Sequence, residues 1–93
     1  MLKIVRSNRF IKDLKIAKKR NLNLDELDFV VTKLANQEKL DDKYKDHALY
    51  GDYKDLRECH IRNDWLLIYA IDEDELELLL FRTGTHSDLF FSY

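Results

Sequence analysis

The chain has no proline and only two glycines in its 93 residues. That scarcity argues against a flexible linker or a low-complexity segment. A single cysteine, Cys59, excludes an internal disulfide. Long apolar runs are also missing. The longest are Trp65 to Ile71 and Leu78 to Phe81, both far too short to span a bilayer. The first residues, Met-Leu-Lys-Ile-Val-Arg, lack the apolar stretch of a signal peptide. Together these features predict a cytoplasmic protein with no membrane association. Histidine is scarce too: His47, His60 and His86 are the only three, and all lie beyond residue 46.

What is present fits one soluble globular domain over residues 1–93, with 45% hydrophobic and 37% charged residues. The net charge of −2 hides an asymmetry. Residues 1–20 carry eight Lys or Arg against one acid, Asp13, while the rest of the chain holds eight basic and seventeen acidic residues. A globally acidic protein can therefore present a basic face to nucleic acid or to an acidic partner, although a solvated helix face gives the same composition.

Hydrophobic spacing predicts the element order. Leu2 to Val5 reads as a short strand. Ser7 offers an N-cap, and Phe10, Ile11, Leu14 and Ala17 follow at helical spacing, predicting a helix over about residues 8–20. Asn23 and Glu26 resemble a capping box before a second helix whose face carries Leu27, Val30, Val31 and Leu34 and which ends near Gln37. A connection this short predicts a helical hairpin. Residues 39–52 are polar and irregular. Three consecutive antiparallel strands then follow, Tyr53 to Ile61, Trp65 to Ile71 and Glu75 to Thr83, the middle one buried on both faces. The expected fold is α+β, in the order β-α-α-β-β-β. Its antiparallel sheet is packed by the N-terminal helical hairpin and followed by a short C-terminal turn or helix.

Chemistry concentrates in three short segments: Asp46-His47-Ala48-Leu49-Tyr50-Gly51, Arg57-Glu58-Cys59-His60-Ile61-Arg62-Asn63-Asp64-Trp65 and Arg82-Thr83-Gly84-Thr85-His86-Ser87-Asp88-Leu89-Phe90. Histidines titrate near neutral pH and so can move protons, and Arg82 adds a permanent cation suited to a phosphate whose charge grows in a transition state. That combination points to RNA cleavage without a metal. Strand ends and turns are where the predicted layout puts His60, Asp64, Trp65 and Arg82, with His86 just beyond. Each residue also has a plainer reading. The histidines can make local hydrogen bonds, Arg82 can snorkel, and Trp65 and Phe90 can pack in the core or at the sheet's end. Cys59 reads as a packed strand thiol. The histidine spacings of thirteen and twenty-six residues match no common zinc pattern, so no metal or cofactor is expected.

The same segments resemble the YafQ-type branch of the RelE superfamily of bacterial toxins. The resemblance rests on Lys45-Asp46-His47-x-Leu49-x-Gly51, Arg57-x-x-His60, Asp64-Trp65-x-Leu67-Ile68-Tyr69 and Arg82-Thr83-Gly84-Thr85-His86-x-x-Leu89-Phe90, in that order. It implies the toxin half of a toxin–antitoxin pair that enters the ribosomal A site and cuts mRNA there, using the RNA 2′-hydroxyl and no metal. The family's functional positions fall on His47, His60, Asp64, Trp65, Arg82, His86 and Phe90. By that resemblance His86 is the general acid and Arg82 holds the phosphate. Trp65 and Phe90 stack on bases, and the base is Asp64, His47 or His60. The implied partners are a cognate antitoxin, the ribosome with mRNA in its A site, and ribosomal RNA through the basic N-terminal helix. The chain departs from the pattern in its acidic net charge and in Phe91-Ser92-Tyr93, a tail expected to crowd or extend the site. Two other classes remain open: a toxin of the same fold that inhibits a protein target such as gyrase without catalysis, and a decayed antitoxin-binding module. The full histidine and arginine set favours an enzyme.

Overall fold

A computed structural model describes residues 1–90, and the expectation for the 91–93 tail lies outside them. Strand β1 (Lys3–Arg6) leads into helix α1 (Asn8–Lys19). The Ser7 hydroxyl accepts from Phe10 N at 2.9 Å and donates to Phe81 O at 2.6 Å, so one residue caps the helix and fastens it to the sheet. Helix α2 (Leu24–Ala35) starts at Asn23, whose side chain accepts from Asp25 N. The expected capping box is only half formed, because Glu26 turns outward and pairs with Arg62 instead. The shortage of glycine shows at the helix ends. Asn21 and Gln37 each adopt a φ of 58°, the left-handed stop that glycine usually supplies.

The remaining elements are a 3-10 turn at Asp42–Tyr44, β2 (His47–Ala48), a second 3-10 turn at Gly51–Tyr53, β3 (Arg57–Arg62), β4 (Trp65–Asp72), β5 (Glu77–Gly84) and α3 (His86–Phe90). They form a five-stranded sheet of order β1-β5-β4-β3-β2. The three long strands are antiparallel neighbours, as their spacing predicts. The sheet as a whole differs from the expected antiparallel one in two respects. β1 runs parallel to β5, with Lys3 opposite Glu77 and Arg6 opposite Leu80. Part of the supposedly irregular segment is β2, which pairs with β3. Two residues are too few to show an alternating pattern, and local spacing does not encode the partner of an edge strand.

Both helices contribute to the core on one face of the sheet. Phe10, Ala17, Leu27, Val30 and Leu34 join Cys59, Trp65, Leu67, Tyr69, Leu78 and Leu80 in one buried cluster. On the other face, Leu66 and Ile68 pack under Leu89 of α3, with Phe90, Leu49 and Leu56 around them. Strand β4 is therefore buried on both sides, and Trp65 to Tyr69 are all at most 3% exposed. Burying a side chain of this size stabilises by about 1.5–3 kcal/mol.

This second face carries the candidate functional side chains. The pairing aligns His47, Glu58, Ile68 and Arg82 in one row across β2, β3, β4 and β5. The next row is His60, Leu66 and Gly84. Arg82 reaches this face because of a bulge. Leu80 pairs with Tyr69 and Arg82 with the preceding Ile68, which leaves Phe81 as the extra residue. Strict alternation would have put Arg82 on the helix side with Leu80.

Candidate active site

The site is assembled from α3, the β3–β4 turn, β3 and β2. His86 opens α3. Thr85 and Asp88 cap that helix reciprocally: Thr85 N donates to Asp88 Oδ2, and Asp88 N donates to Thr85 Oγ1, both at 3.0 Å. Arg20 of α1 pairs with Asp88 at 2.7 Å. The hydrogen bond from Arg20 is the main reason that the Asp88 carboxyl is held down at about 2. Gly84 permits the close approach of α3, since a Cβ there would lie 3.0 Å from Asp88 Oδ2 and 3.1 Å from Asp88 Cβ.

Asp64, in the turn after β3, accepts from both the backbone N–H and the ring of His86. Its Oδ1 lies 3.0 Å from His86 N and 2.8 Å from His86 Nδ1. The backbone bond, then the ring bond, lowers the carboxyl below its ordinary value. A carboxylate here requires the proton on His86 Nδ1, which leaves Nε2 free to meet a substrate. Asp64 is thus committed to orienting His86, and of the three sequence candidates for the base it is the least suited.

Glu58 was not singled out by the sequence, yet it is the centre of the cluster. It is buried at 5% exposure. Its Oε1 lies 3.6 Å from His47 Nε2 and 3.5 Å from His60 Nε2, contacts that become ionic when either ring is protonated. The His60 and His86 rings meet edge to face at 5.7 Å between centroids. Donor atoms of Glu58, His60 and His86 all lie within 4.8 Å of one another. Period-two alternation alone places Glu58 and His60 on one side of β3, with Cys59 on the other. Cys59 is indeed fully buried on the helix side, and burial pushes its thiol pKa far up, which removes it as a nucleophile.

Arg82 is held rather than free. Its Nε and Nη2 donate to Asp13 of α1 at 3.1 and 3.0 Å, and Thr83 N donates to the same carboxylate at 3.1 Å. A guanidinium has five N–H donors, so three are left over for another anion. Asp13 was counted in the sequence only as the lone acid of a basic segment. Trp65 corrects the expectation of a stacking platform. It is 3% exposed, and its Nε1 donates to Thr83 Oγ1 at 2.9 Å, so the ring packs the core. Phe90 sits beside the site, with its centroid 6.2 Å from His86 and 5.3 Å from Tyr53. Tyr53 is a further aromatic that the sequence did not flag.

Two carboxylate–imidazole pairs with facing rings can exchange protons with a phosphate ester, and Arg82 stands in the same row of the sheet as Glu58 and His47. The profile of a family described as "Bacterial toxin of type II toxin-antitoxin system, YafQ" matches residues 2–91. The chain belongs to the YafQ family of toxins. Among its relatives, the mRNA interferase toxin YafQ of Escherichia coli K12 is 42% identical over 86 residues, covering 90% of each chain. A metal-bound toxin from Helicobacter pylori superposes with a TM-score of 0.92 at 50% identity, covering 97% of this chain and 100% of that one. The E. coli DinJ–YafQ complex contains a chain matching with a TM-score of 0.87 at 38% identity, covering 97% and 99%. The resemblance read from the three segments is thereby shown, and so is the toxin fold. Among the described residues, no helix is long and apolar enough to cross a membrane.

Proposed function

We propose that this YafQ-family toxin is an endoribonuclease that cuts mRNA on the ribosome through the RNA's own 2′-hydroxyl and is neutralised by a cognate antitoxin. The observation that carries the reading is the pairing of His86 with Asp64 opposite the pairing of His60 with Glu58. In this scheme neutral His60, oriented by Glu58, takes the 2′-hydroxyl proton as O2′ bonds to phosphorus. Protonated His86, steadied by Asp64, delivers a proton from Nε2 to the departing O5′ as the P–O5′ bond breaks. The products are a 2′,3′-cyclic phosphate and a free 5′-hydroxyl. Arg82 and protonated His47 oppose the charge that builds on the phosphoryl oxygens, with Asp13 fixing the Arg82 fork. Phe90 and Tyr53 supply the aromatic surface that Trp65 does not.

Ribosome binding is assigned to α1. Lys12, Lys15, Lys18, Lys19 and Arg20 are all exposed there. A groove of about 390 Å³ is lined by Arg9, Lys12, Arg20 and Arg82, so that basic surface extends to Arg82. The relatives named above supply the antitoxin expectation, since E. coli YafQ is found in complex with DinJ. The test is translation of a defined mRNA with purified components. Cuts that appear only when ribosomes are present uphold the reading, and intact mRNA on translating ribosomes overturns it.

The metal bound by the H. pylori relative bears on this scheme. Glu58, His60 and His86 offer one carboxylate and two imidazoles, a donor set that zinc and copper accept. A bound cation would supply Lewis acidity, but it would also occupy the two groups that must carry protons. Zinc or copper is therefore expected to inhibit cleavage, and a chelator to restore it.

A further inference from the structure

His47 is the one member of the cluster that lacks a rigid support of its own. It stands on a two-residue strand at the sheet's edge, both residues exposed. The residue before that segment's turn into the sheet is strained: Lys45 adopts φ 48° and ψ 43°, a left-handed conformation that favours glycine. Strain of this kind persists only where the surroundings over-determine it. Two side chains hold Asp46, between Lys45 and His47. The hydroxyl of Tyr69 donates to Asp46 Oδ1 at 2.5 Å. Arg57 Nε donates to the same oxygen at 3.3 Å and lies 3.4 Å from the Tyr69 hydroxyl. Tyr69 is 1% exposed, so its ring is fixed in the core while its hydroxyl reaches the edge. With Asp46 pinned, His47 Nδ1 faces Lys45 O at 2.6 Å and Nε2 is left facing Glu58. A carbonyl can only accept, so Nδ1 must carry the proton.

We infer that Asp46, Tyr69 and Arg57 form a clamp that positions His47, setting its tautomer and its place opposite Glu58 without touching substrate. Asp46 and Tyr69 are therefore positioning residues. The inference rests on the cleavage reading only where it concerns rate; the clamp itself is a statement about His47. Burial, with help from Asp46, pushes the Tyr69 hydroxyl pKa well above its ordinary value, so the donor persists across the range in which histidines titrate.

The test uses the full chain with Asp46→Asn and Tyr69→Phe. Asp46→Asn touches a partly exposed side chain and keeps its shape, so it serves if Tyr69→Phe folds poorly. Nitrogen NMR of the imidazoles reads the tautomer directly. In the parent, at a pH where the ring is neutral, His47 is expected as one tautomer protonated on Nδ1. In either variant it is expected as a mixture, with His60 and His86 unchanged. Cleavage should lose about tenfold to a hundredfold in kcat with little change in KM, the scale of a misplaced group. In a His47→Gln background the same substitutions should change kcat by less than about twofold, because coupled residues do not act twice. A His47 signal that stays single in both variants overturns the clamp, as do losses that multiply with His47→Gln. Released His47 with undiminished cleavage upholds the clamp and removes His47 from the chemistry, so the two failures are distinguishable.

Discussion

Asp13→Asn tests how the arginine of the site is held. Asp13 is 5% exposed and accepts three hydrogen bonds, two from Arg82 and one from Thr83 N. The Arg82 side chain is only 15% exposed, so its charge has little water to fall back on. Asparagine keeps the shape and one acceptor oxygen, but it removes the countercharge and turns a donor amide toward the guanidinium. Breaking a buried ion pair by removing one partner costs about 3–5 kcal/mol. Partial retention of hydrogen bonds puts the expected loss near the lower end, about 3 kcal/mol. For a domain of this size that corresponds to a fall in Tm of roughly 12–24 °C, from about 4–8 °C per kcal/mol. The assay is urea and thermal unfolding followed by circular dichroism. Because replacing both charges by apolar groups is often close to neutral, Asp13→Leu combined with Arg82→Met should recover much of the stability while removing the cation proposed to oppose the phosphoryl charge. A loss below about 0.5 kcal/mol for Asp13→Asn would refute the reasoning, since that is the range of an ordinary surface change.

Three further outcomes are expected. His86→Gln should lower kcat for mRNA cleavage by about 10²–10⁴-fold while unfolding with nearly the parent midpoint, because the side chain is 47% exposed and supplies an acid rather than packing; cleavage within a few-fold of the parent would remove His86 from the acid role. Asp88 has a folded carboxyl pKa of about 2, below the model-peptide value of 3.8, so its contribution is present above the ordinary value and lost as pH falls from about 4 through 2. Partial exposure and screening keep that contribution to about 1 kcal/mol; unfolding curves of Asp88→Asn should approach those of the parent as the pH falls through 2, and a gap that widens as the pH falls would contradict this. Reversing Lys15, Lys18 and Lys19 to Glu should weaken ribosome binding and flatten its salt dependence with stability nearly unchanged, since phosphate contacts release counterions; unchanged ribosome affinity with lost antitoxin binding would assign the patch to the partner.

Much of the fold could be read before the structure, because its main elements follow local spacing. Helices α1 and α2 and strands β4 and β5 fall close to where Phe10, Leu14, Leu27, Val30 and the Trp65–Ile71 run predict them, whereas β3 begins at Arg57 rather than Tyr53, which closes a 3-10 turn instead. Long-range pairing was less visible. Nothing in Leu2 to Val5 says that β1 runs parallel to β5, and His47-Ala48 is too short to announce a strand. Within the site, His60 and Asp64 were visible at a strand end and turn, His86 just beyond the last strand and His47 in a polar loop, but their division of labour was not. Asp64 steers His86 because a turn brings it within 2.8 Å of the ring, twenty-two positions along the chain. Glu58 was hidden by its chemistry, since an acid in a strand ordinarily faces water, whereas here two imidazoles surround it. Arg82 was visible as a cation, but its face of the sheet depends on the Phe81 bulge, which breaks the alternation used to place it. Trp65 was read as a stacking residue through family resemblance, and the core claimed it.

The most direct measurement is the chemistry of the cut ends. mRNA cleaved on ribosomes by the purified toxin should carry a 2′,3′-cyclic phosphate, or the 3′-phosphate formed by its hydrolysis, on the upstream fragment and a free 5′-hydroxyl on the downstream one. Upstream fragments ending in a free 3′-hydroxyl, with a 5′-phosphate across the cut, would mean that water attacked instead of the 2′-hydroxyl, and would contradict the account.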